Sequence, residues 1–361
     1  MSPDKAETMY SRSERLMHRL AFAGRAVQMT AADIEETAFK TRFAGANDRD
    51  PVLITSLARA GTTMVLELLA RHPGLAAHTY RDMPFVLAPV FWERFSGRFR
   101  REGTTRERAH GDGVEIGFDS PESFEEVFWK AHWPGHYRDP ERIGLWEAAD
   151  ADPEATAFLR RHMAKIVALR RPDARATARY VSKNNTNIAR LDLLGRMLPD
   201  ATIIVVLRDP LEHATSFMRQ HANFAARQAA DPFVARYMED IGHYEFGALH
   251  RPLGFAGMDA HDPGSPDYWL AYWLAAFAHV AARTDRVLLL SYEALCAAPA
   301  PMLAALTDRL GLAPHDQDLS HVRPATPRAP PTGCDPALVA RARALHADLA
   351  ALALTPAKRP A

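Results

Sequence analysis

Two short loops in this sequence carry residues whose types and spacing suit the binding of phosphate groups. The first is Ser56-Leu57-Ala58-Arg59-Ala60-Gly61-Thr62-Thr63, which follows a short apolar run and precedes a helical pattern. If the helix begins near Thr62, its unpaired N–H groups and its dipole favour an anion, and Gly61 lets the backbone approach closely. Arg59, Thr62 and Thr63 add side-chain donors. The loop lacks the Gly-Lys-Ser/Thr of a Walker A sequence, so a Mg²⁺-bound triphosphate is not the ligand that it favours.

The second loop begins about 150 residues later, after the apolar run 201–207, and reads RDPLEHATS from Arg208 to Ser216. The run does not alternate with polar residues, which indicates a strand buried on both faces. Asp209 and Pro210 suit the cap and first turn of a helix. Arg208 can present its planar guanidinium to a phosphate, and Ser216 can add a hydroxyl donor. The alternative is an arginine–aspartate surface pair and a serine bonded within its own helix.

The elements around these loops predict an α/β fold. Apolar runs of strand length alternate with helical patterns along most of the chain. We expect strands at 51–56, 179–182, 201–207 and 286–291, and helices at 62–71, 186–197, 210–226, 267–282, 299–310 and 335–353. This order predicts a single domain with a central parallel sheet flanked by helices and a P-loop-like strand–loop–helix at the phosphate site.

Composition and pattern divide the chain into a main domain and two flanking segments. We expect a helical N-terminal segment at 1–45, the main domain at 46–335, and a C-terminal helix and tail at 336–361. Within the main domain, residues 94–140 are rich in glycine, proline, histidine and acidic residues. Such insertions often carry substrate contacts, so this segment is predicted to lie on the acceptor side of the site.

Charge and cysteine content exclude several classes of protein. The 361 residues include 44 basic and 44 acidic side chains, so the net charge does not indicate a nucleic-acid or anionic-membrane partner. Cys296 and Cys334 are too few for a disulfide framework and lack metal-ligand spacing. No segment resembles a signal peptide, and none reaches the roughly 18–20 apolar residues that span a bilayer. We therefore expect a cytoplasmic protein without a transmembrane segment.

Together, the two loops resemble the donor site of PAPS-dependent sulfotransferases, in particular the bacterial, carbohydrate and tyrosylprotein types. In that family, a Lys or Arg precedes a small residue, Gly and Thr in the 5′-phosphosulfate loop. At its 3′-phosphate site, an Arg at a strand end is followed eight residues later by a Ser, the spacing of Arg208 and Ser216. The resemblance implies PAPS as donor, PAP as product, a hydroxyl acceptor and no metal. The donor-binding residues that it implies are Arg59, Ala60, Gly61, Thr62, Thr63, Arg208, Ser216 and Tyr292.

Sulfuryl transfer also needs positive charge on the leaving oxygen and a base on the acceptor hydroxyl. The resemblance places Arg59 and Lys183 on the leaving side, and Tyr292 beside the adenine. Lys183 follows a predicted strand, as a Lys does in several sulfotransferases just before the acceptor. An exposed lysine and a tyrosine at a sheet end are the alternatives.

The base is harder to identify, because cytosolic members use a histidine where this sequence has Asn185. Asparagine cannot accept a proton at neutral pH. In other members a carboxylate shortly after the first helix serves as base, and the matching residue here is Asp82. An ion pair with Arg81 or a helix cap is its alternative role. The rival bases are Glu93, His110, Asp112 and Glu115.

Two other functions stay open at this point. A nucleotide-dependent phosphotransferase would need a Walker lysine, which is missing, and a Mg²⁺ carboxylate, which Asp209 could imitate. An inactive PAP-binding protein would explain the absence of histidine at position 185. The acceptor is left as a carbohydrate, a lipid, or a small alcohol or phenol, and the sequence does not predict the oligomeric state.

Overall fold

A parallel β-sheet forms the centre of the molecule. The computed structural model describes residues 12–96, 106–107, 115–116, 120–257, 262–324 and 333–356. Its strands are β1 (Val52–Thr55), β2 (Leu75–Ala76), β3 (Arg106–Glu107), β4 (Glu115–Ile116), β5 (Arg179–Lys183), β6 (Thr202–Leu207) and β7 (Leu288–Ser291). Five of them form one sheet in the order β2-β5-β1-β6-β7, with every neighbouring pair parallel. β3 and β4 form a separate antiparallel pair. The predicted α/β fold with a central parallel sheet is confirmed.

Helices flank this sheet, and those predicted at given bounds lie close to them, except over 186–197. They are α1 (Arg12–Ala21), α2 (Arg25–Ala38), α3 (Lys40–Phe43), α4 (Thr62–Ala70), α5 (Pro89–Ser96), α6 (Glu126–His132), α7 (Pro153–Arg170), α8 (Leu191–Met197), α9 (Pro210–Ala230), α10 (Pro232–Asp240), α11 (Pro266–Ala281), α12 (Tyr292–Ala297), α13 (Pro299–Arg309) and α14 (Pro336–Ala351). Within the described residues, none of these helices has the length and apolarity required to cross a membrane. The division into three segments at 45/46 and 335/336 stays a prediction.

The prediction of a single helix over 186–197 is wrong. A 3₁₀ turn, Asn185–Ala189, comes first, and α8 follows it. The two are separated at Arg190, whose φ of −120° and ψ of 13° interrupt the helical backbone. The side chain of Asn184 caps the turn by accepting a hydrogen bond from the backbone N–H of Thr186 at 3.0 Å. The residues after β5 are therefore held in a tight turn at the end of the sheet.

Alternate residues of the central strands face two apolar cores. Leu53 of β1 and Val205 of β6 belong to one core, and Ile54 and Val206 belong to the other. All four side chains are fully buried. This explains why the sequence of β6 shows no polar alternation, because helices cover both faces of a parallel sheet.

A buried ion pair connects α6 to the turn that follows β5. Arg190 and Glu126 are 0% and 2% exposed, and Arg190 Nη2 lies 2.8 Å from Glu126 Oε1. The guanidinium lies 4.5 Å from the ring centroid of Trp129 and 4.0 Å from that of Trp146. Burial alone would raise the pKa of Glu126, but the charge and hydrogen bonds of Arg190 outweigh burial and lower it. The pair is therefore ionised inside the protein.

The residues around this ion pair hold the end of β5 in place. Asn184 Nδ2 donates to the ion-paired carboxylate at 2.8 Å, and Ser182 Oγ donates to Glu125 Oε2 at 2.6 Å. Between them, the carbonyl oxygen of Lys183 accepts a hydrogen bond from Ser123 Oγ. Three successive residues at the strand end are thus fixed by the segment that begins α6. The interior of α6 is accordingly part of the core, although its residues fall within the predicted insertion 94–140.

We expect Glu126→Gln to lower the free energy of unfolding by about 3–5 kcal/mol, because Arg190 is left as a buried cation without its counter-charge. Urea denaturation of the full chain measures the change. Glu141→Gln is the matched control, since Glu141 is exposed and surface substitutions usually change stability by less than about 0.5 kcal/mol. Equal losses in the two variants would contradict a stabilising role for the ion pair.

Candidate functional site

Four adjacent strands end at one edge of the sheet, and residues singled out from the sequence follow each of them. β5 ends at Lys183, β1 leads into the loop 56–61, β6 is followed by Arg208, and β7 is followed by Tyr292. Because the strands are parallel, these ends lie on the same side of the sheet. Open parallel sheets bind their ligands outside the carboxyl ends of the strands. The fold therefore brings both predicted phosphate loops to one edge.

The first loop turns sharply into α4 at a glycine that a tyrosine ring covers. Gly61 has a φ of +95° and precedes Thr62, the first residue of α4. A Cβ atom at this position would lie 2.4 Å from Tyr292 Cδ2, well inside van der Waals contact. Arg59 also has a positive φ, of 70°. Both the backbone conformation and the ring of Tyr292 thus require glycine at position 61.

The two arginines of the loops lie next to each other. Arg208 Nη1 donates to the carbonyl oxygen of Arg59 at 2.6 Å, and Arg59 Nε lies 3.5 Å from Ser216 Oγ. The Arg208 guanidinium is 4.8 Å from the ring centroid of Tyr292. Arg208 Nε is buried and has no hydrogen-bond partner among the described residues. Two guanidinium groups, a hydroxyl and the first turn of α4 therefore form a set of donors that fits phosphate groups.

Hydrogen bonds from α9 and β1 hold the first loop in this position. His213 Nε2 donates to the carbonyl oxygen of Ala58 at 2.7 Å. Burial and the nearby charge of Arg208 lower the pKa of His213 to about 3, so the ring is neutral at neutral pH. At the start of the loop, Ser56 Oγ donates to the carbonyl oxygen of Val206 at 2.6 Å. The loop backbone is thus tied to β6 and to the helix that follows it.

Asp209 acts as the predicted helix cap. Its Oδ1 accepts hydrogen bonds from the backbone N–H groups of Leu211 and Glu212 at 3.0 and 2.9 Å. One oxygen of the carboxylate that could imitate a Mg²⁺ ligand is thus engaged in capping α9. Among the described residues, no three His, Cys, Asp or Glu side chains are arranged to hold a metal ion.

Asn185 links the first loop to a carboxylate that the sequence did not indicate. Thr62 Oγ1 donates to Asn185 Oδ1 at 3.1 Å, and Asn185 Nδ2 donates to Glu245 Oε1 at 3.2 Å. Glu245 lies 60 residues from Asn185 in the chain, between α10 and a short 3₁₀ turn. No motif surrounds it, and no spacing connects it to either loop. Only the folded structure brings it to the site.

A small cleft that is open to solvent lies beside the first loop. Leu57 and Ala58 of the loop line one side, and Asn185 and Glu245 contribute polar groups. Apolar and aromatic side chains form much of the remaining wall, including Phe217, Leu253, Trp269 and Tyr272. The cleft therefore lies next to the residues that are predicted to bind phosphate.

Asp82 lies inside the protein in a set of ionic and hydrogen-bonding contacts. Its side chain is 1% exposed. Oδ2 accepts hydrogen bonds from His78 Nδ1 at 2.8 Å and from the backbone N–H of Thr79 at 3.0 Å. Oδ1 forms an ion pair with Arg170. Burial alone would raise the pKa of Asp82, but Arg170 and His78 outweigh it and hold the pKa well below its usual range. These contacts favour a structural role. That Asp82 is the base stays a prediction.

Of the rival bases, Glu93 lies near Asp82, and the others lie wholly or partly outside the described residues. Glu93 is half-buried on α5, which packs against the 3₁₀ turn that contains Asp82. His110, Asp112 and the side chain of Glu115 lie outside the described part of the chain. Lys183 is buried at the end of β5, 6% exposed, on the strand that neighbours β1.

Comparison with known proteins identifies a family. A family model described as the sulfotransferase family matches residues 51–317. Sulfotransferase STF1 from Mycobacterium tuberculosis H37Rv is similar in structure, with 16% identity and a TM-score of 0.44, covering 95% of this chain and 82% of that chain. A sulfotransferase from Alicyclobacillus acidocaldarius has 15% identity and a TM-score of 0.40, covering 84% and 93%. At these values, the likeness does not assign a substrate. A search of curated proteins found no match.

We expect Gly61→Ala to destabilise the protein by more than the roughly 1–2 kcal/mol that a left-handed backbone costs an L-residue, because Tyr292 must also move. Gly45→Ala is the matched control: its φ is +72°, but no atom lies within 4 Å of the added Cβ. Thermal denaturation of both variants separates the two effects. If Gly61→Ala costs no more than Gly45→Ala, the contact with Tyr292 does not restrict the loop.

Proposed function

This chain belongs to the sulfotransferase family, and we propose that it transfers a sulfuryl group from PAPS to a hydroxyl acceptor by in-line displacement. The observation that carries the proposal is the meeting of Arg59, Arg208 and Ser216 at the ends of two adjacent parallel strands. The acceptor is a carbohydrate, a lipid, or a small alcohol or phenol. We place the reaction in the cytoplasm, a reducing compartment that suits Cys296 and Cys334, which form no disulfide with each other.

The first loop is proposed to hold the 5′ end of the donor. There the backbone of Ala60 and Gly61 and the first turn of α4, with Thr62 and Thr63, surround the 5′ phosphate. Arg59 is half-buried and lies at the turn of this loop, so its guanidinium can contact the phosphate and the bridging oxygen. The unpaired N–H groups at the start of α4 favour the negative charge of the donor.

The second loop is proposed to hold the 3′ phosphate, which distinguishes PAPS from most nucleotides. Arg208 supports this role because its buried Nε has no partner among the described residues. Ser216 supplies a hydroxyl from α9. Tyr292 lies against both loops, and we propose that the adenine packs near its ring.

Positive charge on the leaving oxygen is proposed to come from Arg59 and Lys183. Both follow the ends of neighbouring strands, where the transferred group would lie between donor and acceptor. Charge that develops on the bridging oxygen is stabilised most by cations already fixed in place. The contacts of Ser123 and Ser182 that fix the end of β5 hold the backbone of Lys183 in position.

Arg59→Ala and Arg208→Ala are each expected to weaken PAP binding by about 10- to 100-fold, since a hydrogen bond to a charged group contributes about 1.5–3 kcal/mol. Both variants are also expected to abolish measurable transfer of ³⁵S from labelled PAPS. Isothermal titration with PAP measures the affinity, and a radiolabel assay measures the transfer.

Arg196→Ala is the control, because Arg196 is exposed on α8.

Thermal unfolding of the wild-type protein separates a sulfotransferase from a phosphotransferase. We expect PAP to stabilise the protein and ATP with Mg²⁺ not to do so. Near wild-type kcat/KM in either loop variant would overturn the donor assignment. PAP binding without transfer to any acceptor would indicate an inactive PAP-binding protein.

Asp82→Asn is expected to lower the free energy of unfolding by about 3 kcal/mol at neutral pH, because Arg170 loses its buried counter-charge. The folded-state pKa of Asp82 is lowered. Its contribution is therefore complete above the unfolded value of about 3.9 and is lost as the pH falls towards the folded value. Urea denaturation at neutral and acidic pH should show the difference between wild type and variant becoming smaller. A loss of kcat by about 10²–10⁴-fold in the folded variant would instead assign Asp82 as the base.

A further inference from the structure

Glu245 differs from the other carboxylates near the strand ends in the contacts of its side chain. Asp82 and Glu126 are buried in ion pairs with arginines. Glu125 is 3% exposed and accepts hydrogen bonds from Ser182, Asn187 and Trp129. Glu245 is half-buried, and across the part of the chain that the structure describes, no cation forms an ion pair with it. Its carboxylate is therefore available to a molecule in the cleft.

The amide of Asn185 fixes where this carboxylate lies. A carboxylate only accepts hydrogen bonds, so the NH₂ group of Asn185 faces Glu245 and its carbonyl oxygen faces the hydroxyl of Thr62. Thr62 begins α4 at the proposed 5′ end of the donor site. Glu245 thus lies two hydrogen bonds from the residues proposed to hold the transferred group. Asn185 cannot take a proton at neutral pH, but it is hydrogen-bonded to the carboxylate of Glu245, which can.

The walls of the cleft are chiefly apolar. Phe217, Leu253 and Tyr272 are 1%, 5% and 7% exposed and line it together with Leu57 of the first loop. The hydroxyl of Tyr272 accepts a hydrogen bond from the backbone N–H of Leu253 at 3.1 Å, which fixes the ring in the wall. These side chains can pack against a ring or an aliphatic chain, and they offer little to a molecule that has many hydroxyl groups.

The cation of the cleft is also held by the protein. Arg251 Nη1 donates to the carbonyl oxygens of Tyr137 and Asp139 at 2.9 and 3.1 Å. Its guanidinium lies 3.7 Å from the ring centroid of Tyr244. Two carbonyl oxygens and an aromatic ring thus engage part of this guanidinium, and apolar side chains provide most of the remaining wall.

We propose that the cleft binds a phenol or an apolar alcohol and that Glu245 is the catalytic residue that takes the proton from its hydroxyl. The inference rests on the proposed sulfuryl transfer from PAPS. In the step, the acceptor oxygen forms a bond to sulfur as the bond between sulfur and the bridging oxygen of PAPS breaks. The hydroxyl proton goes to Glu245, and the electron pair of the broken bond stays on the 5′-phosphate oxygen of PAP. Asn185 is a positioning residue in this scheme.

The base assignment is tested with Glu245→Gln in the full chain, with 2-naphthol as acceptor and PAPS as donor. We expect kcat to fall by about 10²–10⁴-fold, the usual contribution of a general base, while the affinity for PAP stays unchanged. Glu239→Gln is the matched control, because Glu239 is exposed on α10. Glu245→Asp keeps a carboxylate and is expected to retain more activity than Glu245→Gln. A Glu245→Gln variant with kcat close to wild type, or equal losses in the two Glu245 variants, would overturn the assignment.

The acceptor class is tested by comparing 2-naphthol and 1-octanol with glucose and N-acetylglucosamine on the wild-type protein. We expect kcat/KM to be at least about 100-fold higher for the apolar acceptors, which corresponds to about 2.7 kcal/mol. A preference for the sugars, or PAP binding without transfer to either apolar acceptor, would overturn the acceptor inference and leave the donor site intact. If PAP does not bind to the wild-type protein, the proposed function itself fails.

Discussion

The parallel direction of β5, β1, β6 and β7 is the constraint on which the candidate site depends. One or two of the polar residues discussed above lie at or just after the carboxyl end of each strand. Since neighbouring strands run the same way, those residues meet at one edge, although they are up to about 230 positions apart in the sequence. An antiparallel neighbour would have sent Arg208 or Tyr292 to the opposite edge. The direction of the strands, rather than any single contact, brings the two phosphate loops together.

Holding four strand ends in register requires support from inside the protein, and polar side chains provide it. The ion pair of Glu126 and Arg190 is enclosed by two tryptophans and fixes the turn after β5. A buried ion pair contributes little net stability compared with apolar packing, but it is strongly directional. We interpret this network as a means of orienting the residues after the strand. The neutral ring of His213 does the same for the loop after β1.

The elements that carry the proposed donor side could be predicted because their determinants are local. The Asp209 cap, Arg208 and Ser216 lie within about ten residues of one another, directly after the β6 run. The residue types and their positions on strand and helix can therefore be predicted together from one short stretch of sequence. The acceptor side depends on contacts between distant segments. Asp82 is ion-paired with the distant Arg170, and Glu245 contacts Asn185, which lies 60 residues away in the chain. The sequence did not predict the interruption of the helix at Arg190. That interruption accompanies an ion pair with Glu126 on α6, and no local sequence pattern indicates this distant partner.

The amide of Asn185 also makes the two halves of the site thermodynamically dependent on each other. It bonds to Thr62 on one side and Glu245 on the other, so a molecule that displaces one hydrogen bond changes the free energy of the second. By thermodynamic linkage, if the first ligand changes the affinity for the second by some factor, the second changes the affinity for the first by the same factor. The amide itself is uncharged and does not titrate. A ligand on either side would then affect binding on the other through a single uncharged side chain.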